Sequence, residues 1–206
     1  MLQLHLVQAA QAMPFVRVLE KAGAPVRKLS ERVGMPIDAV YAGKGVIGEY
    51  CAWRFIDHAA KHEKLDLFGY EVATRYPVNS VDGLGGLRMR TAPSLKVLLK
   101  YFIEDAQAES TGCPYSLILR TDGAWFEREQ MFGENRKNWQ VEQYMIAIII
   151  QIIRLCAGPR WLPPWIKVSS SNKALHIPEE WRDINFTWGN KNTEIMIPAE
   201  ILKLPL

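Results

Sequence analysis

Tyr115-Ser116-Leu117-Ile118-Leu119-Arg120-Thr121-Asp122-Gly123-Ala124-Trp125-Phe126-Glu127-Arg128-Glu129-Gln130-Met131 is the stretch on which the fold turns. Aliphatic and aromatic residues crowd both sides of Asp122-Gly123. Asp-Gly suits the left-handed backbone of a tight hairpin, so the pattern predicts two antiparallel strands, 115–120 and 124–131. Downstream, Tyr144 to Cys156 carries Ile146, Ile148, Ile149, Ile150, Ile152 and Ile153. That run is too long for an ordinary strand, and Gly158-Pro159 stops it, so it predicts a helix. It falls short of the roughly 20 residues of a membrane span and is interrupted by Gln151 and Arg154, which predicts a buried core helix and no membrane partner. Trp165 to Ser169, Ile184 to Trp188 and Thr193 to Ile197 read as extended, with a helical turn at Pro178 to Trp181 and a terminal turn at Pro198 to Leu202.

Upstream of the hairpin the period changes. Phe15, Val18 and Leu19 fall on one face of a helix from Met13 to Ala22, ended by Gly23. Val26 to Val33 repeats the pattern before Gly34, and Gly45 to Lys64 and Leu65 to Tyr76 extend it, the last halted by Pro77. Thr91-Ala92-Pro93-Ser94 opens a helix whose Leu95, Leu98, Leu99, Phe102 and Ala106 line one face, after a Gly-rich connection at residues 79–86. The expected fold is α+β. Helices over about residues 1–110 pack on a four-stranded antiparallel sheet of β-β-α-β-β order over about residues 111–206, as a single domain.

The chain has 206 residues, enough to bury a full core without staples. Its net charge of +3 comes from scattered basic residues, too few and too dispersed for a nucleic-acid footprint. Cys51, Cys113 and Cys156 form no CxxC and are odd in number, which predicts reduced thiols in a cytoplasmic protein. No basic segment followed by an apolar run marks a signal peptide.

Four stretches taken in order resemble the N-terminal regulatory domain of AraC-family transcription regulators, of the arabinose-binding type found in ornithine- and virulence-gene regulators. They are Phe15 to Gly23; Asp66 to Glu71; Gly83 to Leu87 with Ala92 to Lys96; and Ile184 to Phe186 with Asn192 to Ile195 and Pro198 to Leu206. The resemblance implies an effector-sensing, non-enzymatic domain, a small organic effector, a homodimer, and contact with DNA only through a helix-turn-helix domain absent from this chain. Leu206 falls where the linker to that domain would begin.

The chemistry-bearing motifs are sparse. Gly83-x-Gly85-Gly86 lacks the βαβ context of a dinucleotide fingerprint and reads as a connection. His58 and His62 stand four apart on a helix, with Cys51 nearly on the same face; a metal site would need a further ligand, so surface histidines are the plainer reading and no metal or cofactor is expected. There is no G-x-S-x-G, nothing lowers the pKa of Cys113 in Thr111-Gly112-Cys113-Pro114, and no catalytic residue is assigned. A haem or metal sensor and a ligand-free dimerisation module remain as rival functions. Aromatic residues are the more suggestive feature, because they combine apolar area with polar handles. Trp53, Phe102, Trp125, Phe126 and Tyr144 are the candidate walls of an effector pocket between the sheet and the early helices, and Arg88 or Arg90 is the candidate anchor for an anionic group.

Overall fold

The computed structural model of the chain describes residues 4–78, 91–112, 114–129, 138–171 and 176–206. A short strand β1 (Leu6–Gln8) and a 3-10 turn (Ala9–Ala12) lead into α1 (Met13–Lys21), α2 (Val26–Val33) and α3 (Ile37–Ala42). Strand β2 (Val46–Gly48) precedes α4 (Glu49–Glu63) and α5 (Phe68–Arg75). The second half holds α6 (Leu95–Glu109), β3 (Tyr115–Arg120), β4 (Gly123–Arg128), α7 (Trp139–Ala157), β5 (Trp165–Lys167), β6 (Asn185–Thr187), β7 (Thr193–Pro198) and α8 (Ala199–Leu202).

The molecule is α+β, but its sheet differs from the expected one. Five strands form a mixed sheet in the order β3-β4-β7-β5-β6, in place of four antiparallel strands. β7 inserts between β4 and β5, and β5 pairs with β6 in parallel, Ile166 opposite Phe186. The connection from residue 168 to 184 is long enough to make that crossover, which a hairpin cannot. A second correction lies at residues 45–48. The expected helix from Gly45 begins only at Glu49, because Val46 to Gly48 pairs antiparallel with β1, Val7 opposite Ile47.

Two hydrophobic cores result. The first gathers Phe15, Val16, Leu19, Leu29, Val40, Phe55, Phe68 and Val72 from the early helices. The second gathers Leu95, Leu98, Leu99 and Phe102 of α6, the isoleucines of α7, and Phe126, Ile166, Ile195 and Ile197 from one face of the sheet. By length and composition α7 is apolar enough to cross a membrane, yet Ile146, Ile149, Ile150, Ile152 and Ile153 are all buried in this core.

α7 also organises its neighbours. α5 has no side-chain cap of its own. Gln140 and Gln143 of α7 accept the otherwise unpaired N–H groups of Gly69 (3.0 Å) and Tyr70 (3.3 Å), and both donate to the Asp66 carbonyl. At the other end Gln151 donates to the Ala73 carbonyl and accepts from Val78 N–H. The two helices approach so closely that a Cβ on Gly69 would collide with the Gln140 carbonyl. On the sheet side, Glu142 is buried and accepts from Ser169 N–H at 2.7 Å, from Ser170 N–H and Oγ, and from Thr193 Oγ1. Asn138 caps α7 by accepting Val141 N–H at 3.2 Å, while its amide donates to the Trp53 carbonyl of α4 at 2.8 Å. By contrast Ser94, at the cap position of α6, makes no capping bond; the first N–H of that helix, Leu95, donates to the Leu204 carbonyl at 2.9 Å.

Candidate effector cavity

Where the two cores meet, packing is incomplete. A cavity of about 140 Å³ opens between the 3-10 turn and α1 on one side, α4 and α6 on the flanks, and α7 and the end of β4 on the other. Phe15, Ala52, Ile56, Phe102, Ala106, Val141, Met145 and Ile148 supply an apolar wall. Helical spacing explains the placement: Ala52 and Ile56 are four apart on α4, Phe102 and Ala106 four apart on α6, and Val141, Met145 and Ile148 successive turns of α7.

Polar groups gather toward one end. Glu49 and Trp53 are four apart on α4, and the Arg128 guanidinium lies 4.5 Å from the centre of the Trp53 ring. Arg128 is 2% exposed and Glu49 3%, so both side chains have been taken out of water. Glu49 accepts from Ser110 Oγ at 2.8 Å, and Ser110 Oγ accepts from Gly112 N–H. A Cβ on Gly112 would run into the Glu49 carboxylate, which keeps this corner tight. At the rim Gln11 donates to Glu109 at 3.2 Å.

Tyr144 stands apart from this network. Its ring lies 4.9 Å from that of Phe15, and its hydroxyl is buried with no hydrogen-bond partner among the described residues. Burial pushes its pKa up to about 12, so the group is a neutral donor at physiological pH.

The structure brings Trp53, Phe102 and Tyr144 together at the cavity. Phe126 sits behind the wall, its ring 6.0 Å from Phe102 and 5.7 Å from Tyr115, which does line the space. Trp125 points to the opposite face of the sheet, where Lys167 Nζ lies 4.2 Å and the Arg120 guanidinium 5.3 Å from its ring centre. Arg88 and Arg90 lie outside the described residues. Glu49, Ser110 and Arg128 escaped the sequence reading. For Arg128 a signal existed: it shares the inward register of Ala124 and Phe126, and a charged residue in that register marks a buried polar group.

His58 and His62 have ring centres 6.3 Å apart, and His62 pairs with Glu63 at 2.8 Å on the surface. Among the described residues no three His, Cys, Asp or Glu side chains converge as a metal site. Cys51 and Cys156 are free thiols, both with pKa raised by burial. Compared with known protein families and with characterised proteins, the chain matches none.

Proposed function

We propose that this chain is the effector-sensing regulatory domain of an AraC-type transcription regulator, with a small organic effector bound in the cavity between the two cores. The observation that carries the ligand half is a largely apolar cavity lined by Phe15, Trp53, Phe102 and Tyr144, with the polar side chains of Glu49 and Arg128 in its wall. A ligand that fills this space takes its own apolar surface and that of the wall out of water. The regulator half rests on the four ordered stretches that resemble the AraC-family sensor domain.

The position of the cavity supports a sensing role. A ligand there touches the early helices through Phe15 and Ile56 and the second core through Phe102 and Ile148. Any arrangement of the two cores that fits the ligand better is favoured by that difference in affinity. α6 lines the cavity, and its first N–H is bonded to Leu204, in the segment after α8. A shift of α6 therefore reaches the part of the chain from which, in this reading, a DNA-binding domain continues. The domain works without catalysis and as a homodimer.

A thermal-shift screen of small organic compounds against the chain and its Ala106→Leu variant tests this. Binding to the native state raises its apparent stability. The expected result is a set of compounds that stabilise the natural chain and not the filled variant, and that change reporter expression when the chain is fused to an AraC-type DNA-binding domain. Stabilisation by no compound contradicts the sensor function and favours a ligand-free dimerisation module.

A further inference from the structure

We propose that the cavity takes a singly charged organic cation, one ring carrying a short ammonium arm, with the ring against the apolar wall and the ammonium at Glu109. The proposal rests on the cavity being a ligand site and names the chemistry of its occupant.

The space is about 140 Å³, close to the roughly 150 Å³ of an engineered apolar cavity that takes benzene. One ring with a short arm fits, and Phe15, Ile56, Phe102 and Ile148 reward burial of its apolar body.

The face of α6 sets which end of the ligand goes where. Phe102, Ala106 and Glu109 follow one another at spacings of four and three along the stripe that lines the cavity. Phe102 and Ala106 are buried, whereas Glu109 is half-buried. A ligand lying along this stripe keeps its ring in the apolar part and its charged arm at Glu109 partly in water, which spares the arm much of the cost of desolvation.

Stability alone does not favour an acid at this position. Glu109 is the last residue of α6, at the negative end of the helix dipole, and the last turn holds no basic residue. Its carboxylate makes no ion pair among the described residues and accepts from the neutral Gln11 amide on Oε2, at 3.2 Å. Oε1 makes no hydrogen bond among the described residues and is not sealed from solvent, so it remains for a further donor. The other two ionisable groups of opposite sign in the lining, Glu49 and Arg128, are buried together in the wall that holds Trp53, which leaves the acidic excess at Glu109. A cation there is favoured by the carboxylate and by the helix end; an anion of the same shape meets both with the wrong sign.

Three probes of similar shape separate these effects: 2-phenylethylamine, protonated at pH 7; 2-phenylethanol, in which a hydroxyl replaces the ammonium; and phenylacetate. Their Kd values are measured by titrating the amide NMR shifts of the full chain and of its Glu109→Gln variant, after a melting curve shows that the variant is folded, and again on the natural chain in about 0.5 M salt. The expected result is 2-phenylethylamine about fivefold tighter than 2-phenylethanol on the natural chain, the scale of a half-exposed charge pair, with phenylacetate weakest. The advantage of the amine disappears in Glu109→Gln, where 2-phenylethanol binds as before, and shrinks in salt. Equal affinity for amine and alcohol, tightest binding by phenylacetate, or an amine advantage that survives Glu109→Gln or is undiminished by salt overturns this inference and leaves the ligand site standing. Binding by none of the three overturns the ligand site itself.

Discussion

Glu142 and Tyr144 are two residues apart on α7 and face opposite ways into the molecule. Glu142 points to the sheet side, where two backbone N–H groups and two hydroxyls converge on its carboxylate. Tyr144 points to the early helices, where its hydroxyl is equally buried and meets no partner among the described residues. On the sheet side the Glu142 carboxylate is satisfied, although Ser169 Oγ beside it is buried without a partner among the described residues; on the other side Tyr144 borders the cavity. Buried polar groups in native structures are mostly paired, and one left unpaired costs stability. The contrast is between a carboxylate that ties α7 to the sheet and a tyrosine that borders the cavity.

The largest expected effect breaks the sheet side. Glu142→Ala leaves Ser169 N–H, Ser170 N–H and the Thr193 hydroxyl buried without an acceptor, and we expect a loss of about 3–5 kcal/mol in urea unfolding. A loss below about 1 kcal/mol would mean that the sheet side does not depend on this carboxylate.

Next in size is the seam between α5 and α7. Gly69→Ala forces a methyl against the Gln140 carbonyl, and the helices must part. A net loss of about 1–3 kcal/mol is expected, even though alanine is the better helix former. Unfolding midpoints of the two proteins check it; a stabilised variant would show that the seam is looser than described.

The cavity side answers differently, and pH exposes it. The Tyr144 pKa is about 12 in the folded chain against 10.0 for the free side chain. Between those values the unfolded chain has lost the proton that the native one still holds, so the stability contributed by this group is present below pH 10 and declines as pH rises toward 12. Relative to Tyr144→Phe, the natural chain therefore loses about 2–3 kcal/mol across that window. At pH 7 the same variant should be as stable as the natural chain or better by up to about 1 kcal/mol, because it removes an unpaired buried hydroxyl. Equal pH profiles for the two proteins would place the hydroxyl in water.

The smallest effect on stability belongs to Ala106→Leu, within about 1.5 kcal/mol of the natural chain, because the added methyl groups enter existing space. Its effect on binding is the reverse: probe affinity is lost. A core position with no cavity beside it would show the opposite balance.

These contrasts also explain what the sequence could convey. Helices α1, α2, α6 and α7 and the β3–β4 hairpin are legible because each is announced locally, by a 3.6-residue period or by Asp122-Gly123. β1 and β2 are three residues each, too short to show a period, and they find each other across the whole of α1 to α3. The insertion of β7 between β4 and β5 is likewise a distant pairing that no local pattern encodes. At the cavity, Trp53, Phe102 and Tyr144 are legible as aromatic residues on helical faces. Trp125 and Phe126 are neighbours on one strand, and the two-residue period forbids both from facing one pocket. Glu49 was hidden because it begins α4 only once Val46 to Gly48 has become a strand.

The most direct test of the cavity as a ligand site is to locate a bound probe. With 2-phenylethanol added to the isotope-labelled chain, intermolecular NOEs are expected from its ring protons to the methyl groups of Ile56, Ala106, Val141 and Ile148, which belong to four turns of three different helices and converge only here. NOEs confined to other residues, or none at millimolar probe, would contradict the site.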